Sequence, residues 1–432
     1  MTGSHTVLNI MQKQSEVPSK EKNDLWFCHQ LGSREHYSIS RALHKNGRLA
    51  LLQTDAWITP KVARSLPAMG PFQSLAGRYH EDLATARVTS FTPGRLCFDV
   101  RSRLRRDHPW QAIERRNEWF QRRCLPGLRR GLTELNKDRN RDLAVFSFSY
   151  TARELFREAK RHGARCVLGQ IDPGPQEIRW VAQRCGEPPP HESPPLSYWD
   201  SWREEVDLAD VIIANSEWSR GLLIQDGVSP EKIRVLPLAY TPPLSANCIE
   251  PHSYPLSFSK SRPLRVLFLG QVIPRKGVSE LFEAIARLKD VPVEFHIAGP
   301  IVTEIPVSVR NATNVRFYGS VPRGQAESLY AASDVFILPT HSDGFAMTQL
   351  EAIAYRLPVI ASGNCASVVI DGESGMLLKN VSSEEIKRAL RFCVESPETL
   401  RRWSECSFDW SAYSIESLGN RLRDLREELV HG

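Results

Sequence analysis

The sequence predicts an α/β protein built from two doubly wound parallel-sheet domains that face each other across a cleft. Three observations predict it. Short apolar runs alternate with helix-period segments along most of the 432 residues, which implies parallel strands covered by helices on both faces. The alternation breaks once, in TPPLSANCIEPHSYPLSFSKSRP (241–263), a Pro- and Ser-rich stretch without periodicity, and then restarts. A composition of 41% apolar and 25% charged residues is that of a globular chain long enough for two large cores. It excludes a mainly disordered, collagen-like or coiled-coil protein.

The elements follow in order. Residues 1–22 are polar and are expected to be disordered. Leu25-Trp26-Phe27-Cys28 reads as a buried strand that ends in a loop carrying Gly32, and a helical pattern runs from Arg34 to Lys45. Strands are expected at Leu49–Leu52, Leu143–Phe148, Cys166–Leu168 and Val211–Ala214, with helices at Ala152–His162 and Trp218–Gln225. The second half reads strand Val266–Leu269, helix Val278–Leu288, strand Val293–Ile297 and strand Val315–Tyr318. Helix Gln325–Ala332, strand Val335–Leu338, helix Phe345–Tyr355 and strand Pro358–Ala361 follow. The tail from Ser382 to Leu429 reads as helical. The expected organisation is a first domain over 23–245, a linker over 246–262 and a second domain over 263–411. Residues 412–432 form a terminal helix that is open to packing back on the first domain.

Nine cysteines, an odd number without a C-x-x-C pair, argue for reduced thiols and a cytoplasmic location. The N-terminus lacks the apolar core of a leader, and no run approaches the ~20 residues of a membrane span. The dinucleotide G-x-G fingerprint, the P-loop, the G-x-S-x-G elbow, H-E-x-x-H and D-x-D are all absent from the sequence. A net charge of +6 is mild for this length and does not announce a nucleic-acid partner.

Three features fall at strand carboxyl ends, where open α/β sheets bind ligands. Gly270-Gln271-Val272-Ile273-Pro274-Arg275-Lys276-Gly277 brings two cations suited to a diphosphate, although a solvated turn would read the same. In Asp343-Gly344-Phe345-Ala346-Met347-Thr348-Gln349-Leu350-Glu351, two carboxylates lie eight residues apart, ~12 Å along a helix, about the reach from a sugar to a ribose. Carboxylates accept from vicinal hydroxyls, but an N-terminal acid and a surface Glu would give the same spacing. Ser362-Gly363-Asn364-Cys365-Ala366-Ser367 is a small-residue loop that lets backbone amides approach an anion, or an ordinary turn.

Taken together, FLGQVIPRKGVSELFEAI, FHIAGP, VRFYGSVP, LYAASDVFILPT, DGFAMTQLEAIAYRLPVIAS and DGESGMLL, from Arg265 to Leu378, resemble the C-terminal domain of family 4 retaining glycosyltransferases. These are group 1 enzymes of GT-B fold. ADVIIANSEWSRGLLIQDGVSPEKIRVLPLA (209–239) is similar to the family's passage into its hinge, and His29-Gln30-Leu31-Gly32-Ser33-Arg34 to its acceptor loop.

The resemblance implies a hexosyl transfer without a required metal or cofactor, from a UDP-, GDP- or ADP-sugar to a glycan, lipid-linked or small-molecule acceptor. That is the chemistry of polysaccharide biosynthesis. It implies Lys276 on the donor diphosphate, Asp343 on the donor sugar hydroxyls and Glu351 on the ribose. Gly270, Gln271, Arg275, Gly344, Phe345, Ala346, Gly363, Asn364 and Cys365 would line the donor. Gly32, Ser33 and His29 would meet the acceptor. The chain departs from the family in three places. Gln271 replaces the usual Arg, with Arg275 placed to supply the charge. Asp343 replaces the usual Glu. Asp172 stands near the position where the family often has a His facing the acceptor. These departures keep two alternatives open, a sugar-nucleotide-binding protein with weak turnover and a GT-B sugar-nucleotide epimerase.

Between Arg101 and Arg141, twelve Arg and one Lys face five acidic residues, a net +8, with Trp110, Trp119, Phe120 and Leu125 interleaved. A helix lying on anionic lipid, an amphipathic helix with its aromatics in the core, and a site for an acidic polymer all fit this pattern. His29, His36 and His341 have bland structural readings as well.

Overall fold

The computed structural model describes residues 24–64, 77–137, 141–188, 193–243 and 249–431. The segment expected to be disordered, and residues 244–248 of the Pro- and Ser-rich stretch, lie outside the described residues.

The first sheet contains β1 (Asp24–Gln30), β2 (Leu49–Thr54), β3 (Val88–Ser90), β4 (Asp142–Phe148), β5 (Arg165–Gly169), β6 (Val211–Ala214) and β7 (Ile233–Val235). Its order is β3-β2-β1-β4-β5-β6-β7, and all pairings are parallel. The second sheet contains β8 (Leu264–Leu269), β9 (Val293–Ala298), β10 (Val315–Gly319), β11 (Val335–Leu338), β12 (Val359–Ser362) and β13 (Gly375–Leu378). Its order is β10-β9-β8-β11-β12-β13, again all parallel. The two Rossmann-like domains expected from the alternation are therefore present. In each sheet the parallel arrangement puts every strand's carboxyl end on one edge.

Three strands went unanticipated: β3, β7 and β13. Each has only three or four residues and lies at a sheet edge, where one side faces solvent and no apolar run is required. The expected tail helix is broken into Ser383–Glu395, Pro397–Glu405 and Ile415–His431. Pro397 starts a new helix because its ring cannot continue the previous one.

Each sheet is covered on both faces. Phe27, Val145 and Leu168 pack under the helices Pro109–Leu135 and Arg153–Arg161, with Phe120, Leu128 and Phe156 fully buried between them. On the opposite face, Trp26, Cys28 and Phe146 meet Leu43 from the helix Ser38–Lys45. Leu418, Leu422 and Leu425 of the last helix join this same cluster, so the chain's final element covers the first sheet after the second domain is complete. Arg426 donates to Asp142 at 2.9 Å, and a Cβ on Gly419 would stand 2.6 Å from the Asn46 amide.

The stretch expected as a linker carries two anchors. Tyr254 and Phe258 are buried in the second domain's core, and the Tyr254 hydroxyl donates to the Asp334 carbonyl at 2.8 Å. Arg262 forks onto Asp334 at 2.7 and 2.6 Å. The Pro- and Ser-rich composition concealed these contacts because so few residues make them.

The basic stretch forms parts of two helices, Thr92–Arg105 and Pro109–Leu135. Its aromatic residues turn inward. Phe120 is fully buried, Trp119 packs on Phe91 and Phe98, and Trp110 packs edge-on to Tyr198. The aromatics that a lipid-facing helix would need are used within the first domain. No helix among the described residues is long and apolar enough to cross a membrane.

The return of the last helix yields a prediction. Leu422→Ala removes a fully buried side chain from a position between two helices and the first sheet. It should lower the unfolding free energy by about 2–5 kcal/mol, read by urea denaturation followed through tryptophan fluorescence.

Candidate active site

The carboxyl edges of the two sheets meet at the loop Thr340–Gly344, which follows β11. This loop belongs to the second domain and is held by the first. Trp180 Nε1–H donates to the His341 carbonyl at 2.8 Å, and Trp218 Nε1–H donates to Ser342 Oγ at 3.0 Å. Ser342 Oγ in turn donates to Glu177 Oε1 at 2.7 Å. Ser216 Oγ donates to the Gly344 carbonyl at 2.5 Å. A Cβ on Gly344 would lie 2.9 Å from the Asn215 amide, so a larger residue would have to displace that side chain.

The same loop is bound to the turn that carries the two cations. The His341 N–H and the Thr340 hydroxyl both donate to the Arg275 carbonyl, at 2.8 and 3.1 Å. Gly277 has φ +70°, and any Cβ there would stand 1.8 Å from the Pro339 carbonyl oxygen. Glycine at 277 is what allows the turn to lie directly on the strand end.

Lys276 and Asp343 are thereby brought together as a hydrogen-bonded ion pair, both largely shielded from solvent. Arg275 Nη1 donates to the Ser342 carbonyl at 2.7 Å and reaches Glu177 Oε1 at 3.4 Å. Burial pushes the Glu177 carboxyl above its ordinary range, while Arg275 works against that shift. His341 Nε2 meets Glu280 at 2.9 Å. Burial opposes its charge, but hydrogen bonds to Cys185 and Glu280 outweigh burial and raise the imidazole to about 9.

The other expected donor residues divide into two groups. Gly270 closes β8 by donating to the Ala298 carbonyl at 2.9 Å, and Gln271 and Gly363 are exposed. Asn364 accepts the Asp343 N–H at 2.9 Å and donates its amide to the Thr340 carbonyl at 3.4 Å. Glu351 accepts from the Tyr330 hydroxyl at 2.8 Å. The helix that carries it is Thr348–Ala354, three residues later than expected, because Ala346 adopts φ +65° and ends the loop in a left-handed turn. Glu351 is therefore in the first helical turn, and the helical rise from Asp343 does not apply. Phe345 and Cys365 depart from the expectation of lining the donor. The Phe345 ring packs in a core cluster with Leu350 and Val368 and stands edge-on to Tyr413. The Cys365 thiol is buried and pushed up to about 12.

On the first domain, Asp172 accepts from the Tyr150 hydroxyl at 2.6 Å and from the Gly174 N–H at 2.9 Å, and burial raises its carboxyl. Tyr150 has φ +74°, an unfavourable backbone conformation for a tyrosine. The wholly buried Glu205 fixes that turn by accepting the N–H groups of Tyr150, Ala152 and Arg153 at 2.6, 2.7 and 3.1 Å. Burial pushes Glu205 up to about 7 despite these donors. Gly32 donates its N–H to Asp55 at 2.8 Å, and Ser33 is half-buried before the turn Arg34–Tyr37. The expectation that His29 meets the acceptor does not hold. His29 is fully buried on the same face of β1 as Phe27, and neither ring nitrogen has a partner among the described residues.

Glu177, Tyr150, Trp180, Trp218 and Ser342 escaped the sequence reading. The D-P-G-P-x-E run before Glu177, with Gly and Pro set to start a helix, was the one local signal for a carboxylate at this edge. Among the described residues, no group of three or more His, Cys, Asp or Glu is arranged to hold a metal.

Residues 257–410 match the family model of the glycosyl transferases group 1. That match covers most of the second domain. The uncharacterized glycosyltransferase MJ1178 of Methanocaldococcus jannaschii is 28% identical over 170 residues, 38% of this chain and 48% of that protein. A D-inositol 3-phosphate glycosyltransferase of Streptosporangium roseum is 28% identical over 216 residues, 44% of this chain and 48% of that protein. The chain spans about half the length of the curated relatives it matches. Among solved structures, Anabaena HepE in complex with UDP aligns with 94% of this chain and 100% of its own, at TM-score 0.58 and 15% identity. Sucrose-phosphate synthase of Thermosynechococcus elongatus aligns with 94% of this chain and 99% of its own, at TM-score 0.59 and 14% identity. Around the group 1 domain, the whole fold is GT-B.

The buried His29 makes the fold acid-sensitive. Burial lowers its imidazole to about 3, so folding excludes a proton that the unfolded chain takes up near pH 6.5. The stability tied to His29 is complete above pH 6.5 and is lost as pH falls toward 3. Between pH 6.5 and 5 this amounts to about 2 kcal/mol. Urea denaturation should show that loss in the wild type and a smaller one in His29→Met. Equal losses in the two proteins would reject the assignment.

Proposed function

We propose that the chain is a retaining glycosyltransferase that moves a sugar from a nucleotide-sugar donor in the second domain to an acceptor held by the first. The observation that carries this reading is the Lys276–Asp343 pair beside Arg275, on the edge of the second sheet that faces Asp172 and Glu177. The two cations suit the donor diphosphate. Asp343 is suited to accept from the donor sugar hydroxyls, and Glu351 from the ribose. In the reaction, the bond from the anomeric carbon to the diphosphate oxygen breaks and the bond to the acceptor oxygen forms on the same face. The departing diphosphate oxygen takes the acceptor proton. Lys276 and Arg275 stabilise the charge that develops on that oxygen, an electrostatic effect that is strongest in a water-poor site. Asp172, held by Tyr150, faces the acceptor side in the place where the family often has a His.

The reading calls for no metal, because two side-chain cations already sit at the diphosphate position. The eight described cysteines are all free, which fits a reducing, cytoplasmic setting. HepE has been solved with UDP, with UDP and glucose, and with UDP-glucose, which makes UDP the first nucleotide to try.

Thermal shift with UDP, GDP and ADP should single out one base, followed by slow hydrolysis of the matching sugar nucleotide. Stabilisation by none of them would reject donor binding. Stabilisation without any turnover would leave a binding protein, and formation of an epimer without an acceptor would make the chain an epimerase. Lys276→Ala should cut donor turnover at least ~100-fold while the fold, read by circular dichroism, is kept. Near-normal turnover would remove Lys276 from the mechanism.

A further inference from the structure

The carboxyl ends of β1, β2 and β3 hold a second charged cluster that the donor chemistry does not use. Asp55 directly follows β2, and its side chain is wholly buried. Its two oxygens accept from Arg78 Nη1 and Arg95 Nη1, each at 2.8 Å, and one of them also accepts the Gly32 N–H. Arg95 Nε is 2.9 Å from both oxygens of Asp99. Arg116, from the helix Pro109–Leu135, lies within electrostatic reach of both arginines and both carboxylates without pairing with either carboxylate.

Arg116 is the odd member. Its Nε is buried without a hydrogen-bond partner, and no carboxylate among the described residues forms an ion pair with it. Burial weakens its hold on the proton, and Arg95 and Arg78 add to this while Asp55 and Asp99 counter it. Three guanidinium groups against two carboxylates leave one positive charge in excess, and shielding makes that excess unfavourable until an anion arrives. Guanidinium forks match the oxygens of phosphate and carboxylate.

The surroundings fit a sugar. Arg116 acts electrostatically on Tyr198, whose ring stacks on Tyr150 at 4.4 Å and meets Trp110 edge-on at 5.2 Å. Tyr150 leads to Asp172. Aromatic faces thus lie between the arginine cluster and the carboxylate facing the donor. Arg78 and Arg95 keep only 14% of their side-chain surface exposed, which suits a small recessed ligand better than a lipid surface.

We propose that the first domain binds an acceptor bearing an anionic group, a sugar phosphate or a uronate, whose charge is held by Arg78, Arg95 and Arg116 while its ring lies on Tyr150 and Tyr198. The proposal rests on the glycosyl-transfer reading and deepens it by naming the acceptor class.

The test is calorimetric titration of the full chain saturated with UDP. The probes are a hexose 6-phosphate, a hexuronate, the neutral hexose and inorganic phosphate. At least one anionic sugar should bind ~10-fold or more tightly than the neutral sugar, as expected for charge-assisted hydrogen bonds, and the two anionic arms separate phosphate from carboxylate. Arg116→Gln should abolish the preference while leaving the UDP Kd within about twofold and the melting temperature near that of wild type. Arg122→Gln, which removes an exposed charge from the same helix, should keep the preference. Equal binding of the neutral sugar, a preference that survives Arg116→Gln, or inorganic phosphate bound as tightly as the sugar phosphate would each overturn the proposal. A wild-type chain that binds no nucleotide would instead overturn the transfer reading, and the UDP titration shows this separately.

Discussion

The loop Thr340–Gly344 is the joint on which the molecule's candidate chemistry depends. It leaves the second sheet at β11, yet Trp180, Trp218, Glu177 and Ser216 of the first domain take up its polar groups. Because the His341 N–H and Thr340 hydroxyl also hold the Arg275 carbonyl, the cationic turn is indexed to the same loop. Asp343 and Lys276 are thus paired on a loop and turn that second-domain bonds join and that the first domain also grips. The tryptophans suit this role. Each gives one directional N–H, and the two rings pack edge to face at 5.0 Å.

A buried cation and carboxylate would be unfavourable as separate ions, and pairing Lys276 with Asp343 offsets much of that desolvation. The pairing has a functional side. On the proposed donor reading, a diphosphate entering beside Lys276 would compete with Asp343 and free that carboxylate to accept sugar hydroxyls. Arg275 is partnered differently. One of its bonds is to a carbonyl and the other, longer one is to Glu177, whose burial weakens it as an anion. On the proposed reading, Arg275 supplies the charge of the arginine that the resemblance leads one to expect at Gln271.

The parts legible in the sequence were those set by period and order. Central strands announce themselves because both faces are buried, so β6 (VIIA) and β11 (VFIL) could be read to the residue. Lys276 and Asp343, which the structure pairs, each stand beside a glycine in a loop that follows a strand. What stayed hidden was long-range or conformational. Nothing local to Glu177 says that Ser342, 165 positions away, will donate to it. The left-handed Ala346 cannot be told from a helical alanine by its identity, and so the helix carrying Glu351 was placed too early. His29 was misplaced for the opposite reason. Its neighbours Gln30 and Gly32 suggested a loop, but strand β1 runs through Gln30 and turns the imidazole into the sheet face.

The net charge of +8 between Arg101 and Arg141 can now be divided by position. Arg122 and Arg129 lie on the outer surface; Arg122 pairs with Glu118 inside the stretch, and Arg129 offsets part of the excess by pairing with the buried Glu158 outside it. Trp119 and Phe120 face inward and fix the rotation of the helix Pro109–Leu135. Arg116 is three residues before Trp119, close to one turn, so the rotation that buries the tryptophan also carries Arg116 toward the sheet edge, beside Arg95 and Asp55. The aromatic residues and the inward arginine are thus one device. The aromatics set the helix against Phe91 and Phe98, and this delivers a single cation to the carboxyl edge of the first sheet. Total charge is a poor guide to such a site, because twelve arginines in the stretch look alike by composition and only helical phase sets Arg116 apart.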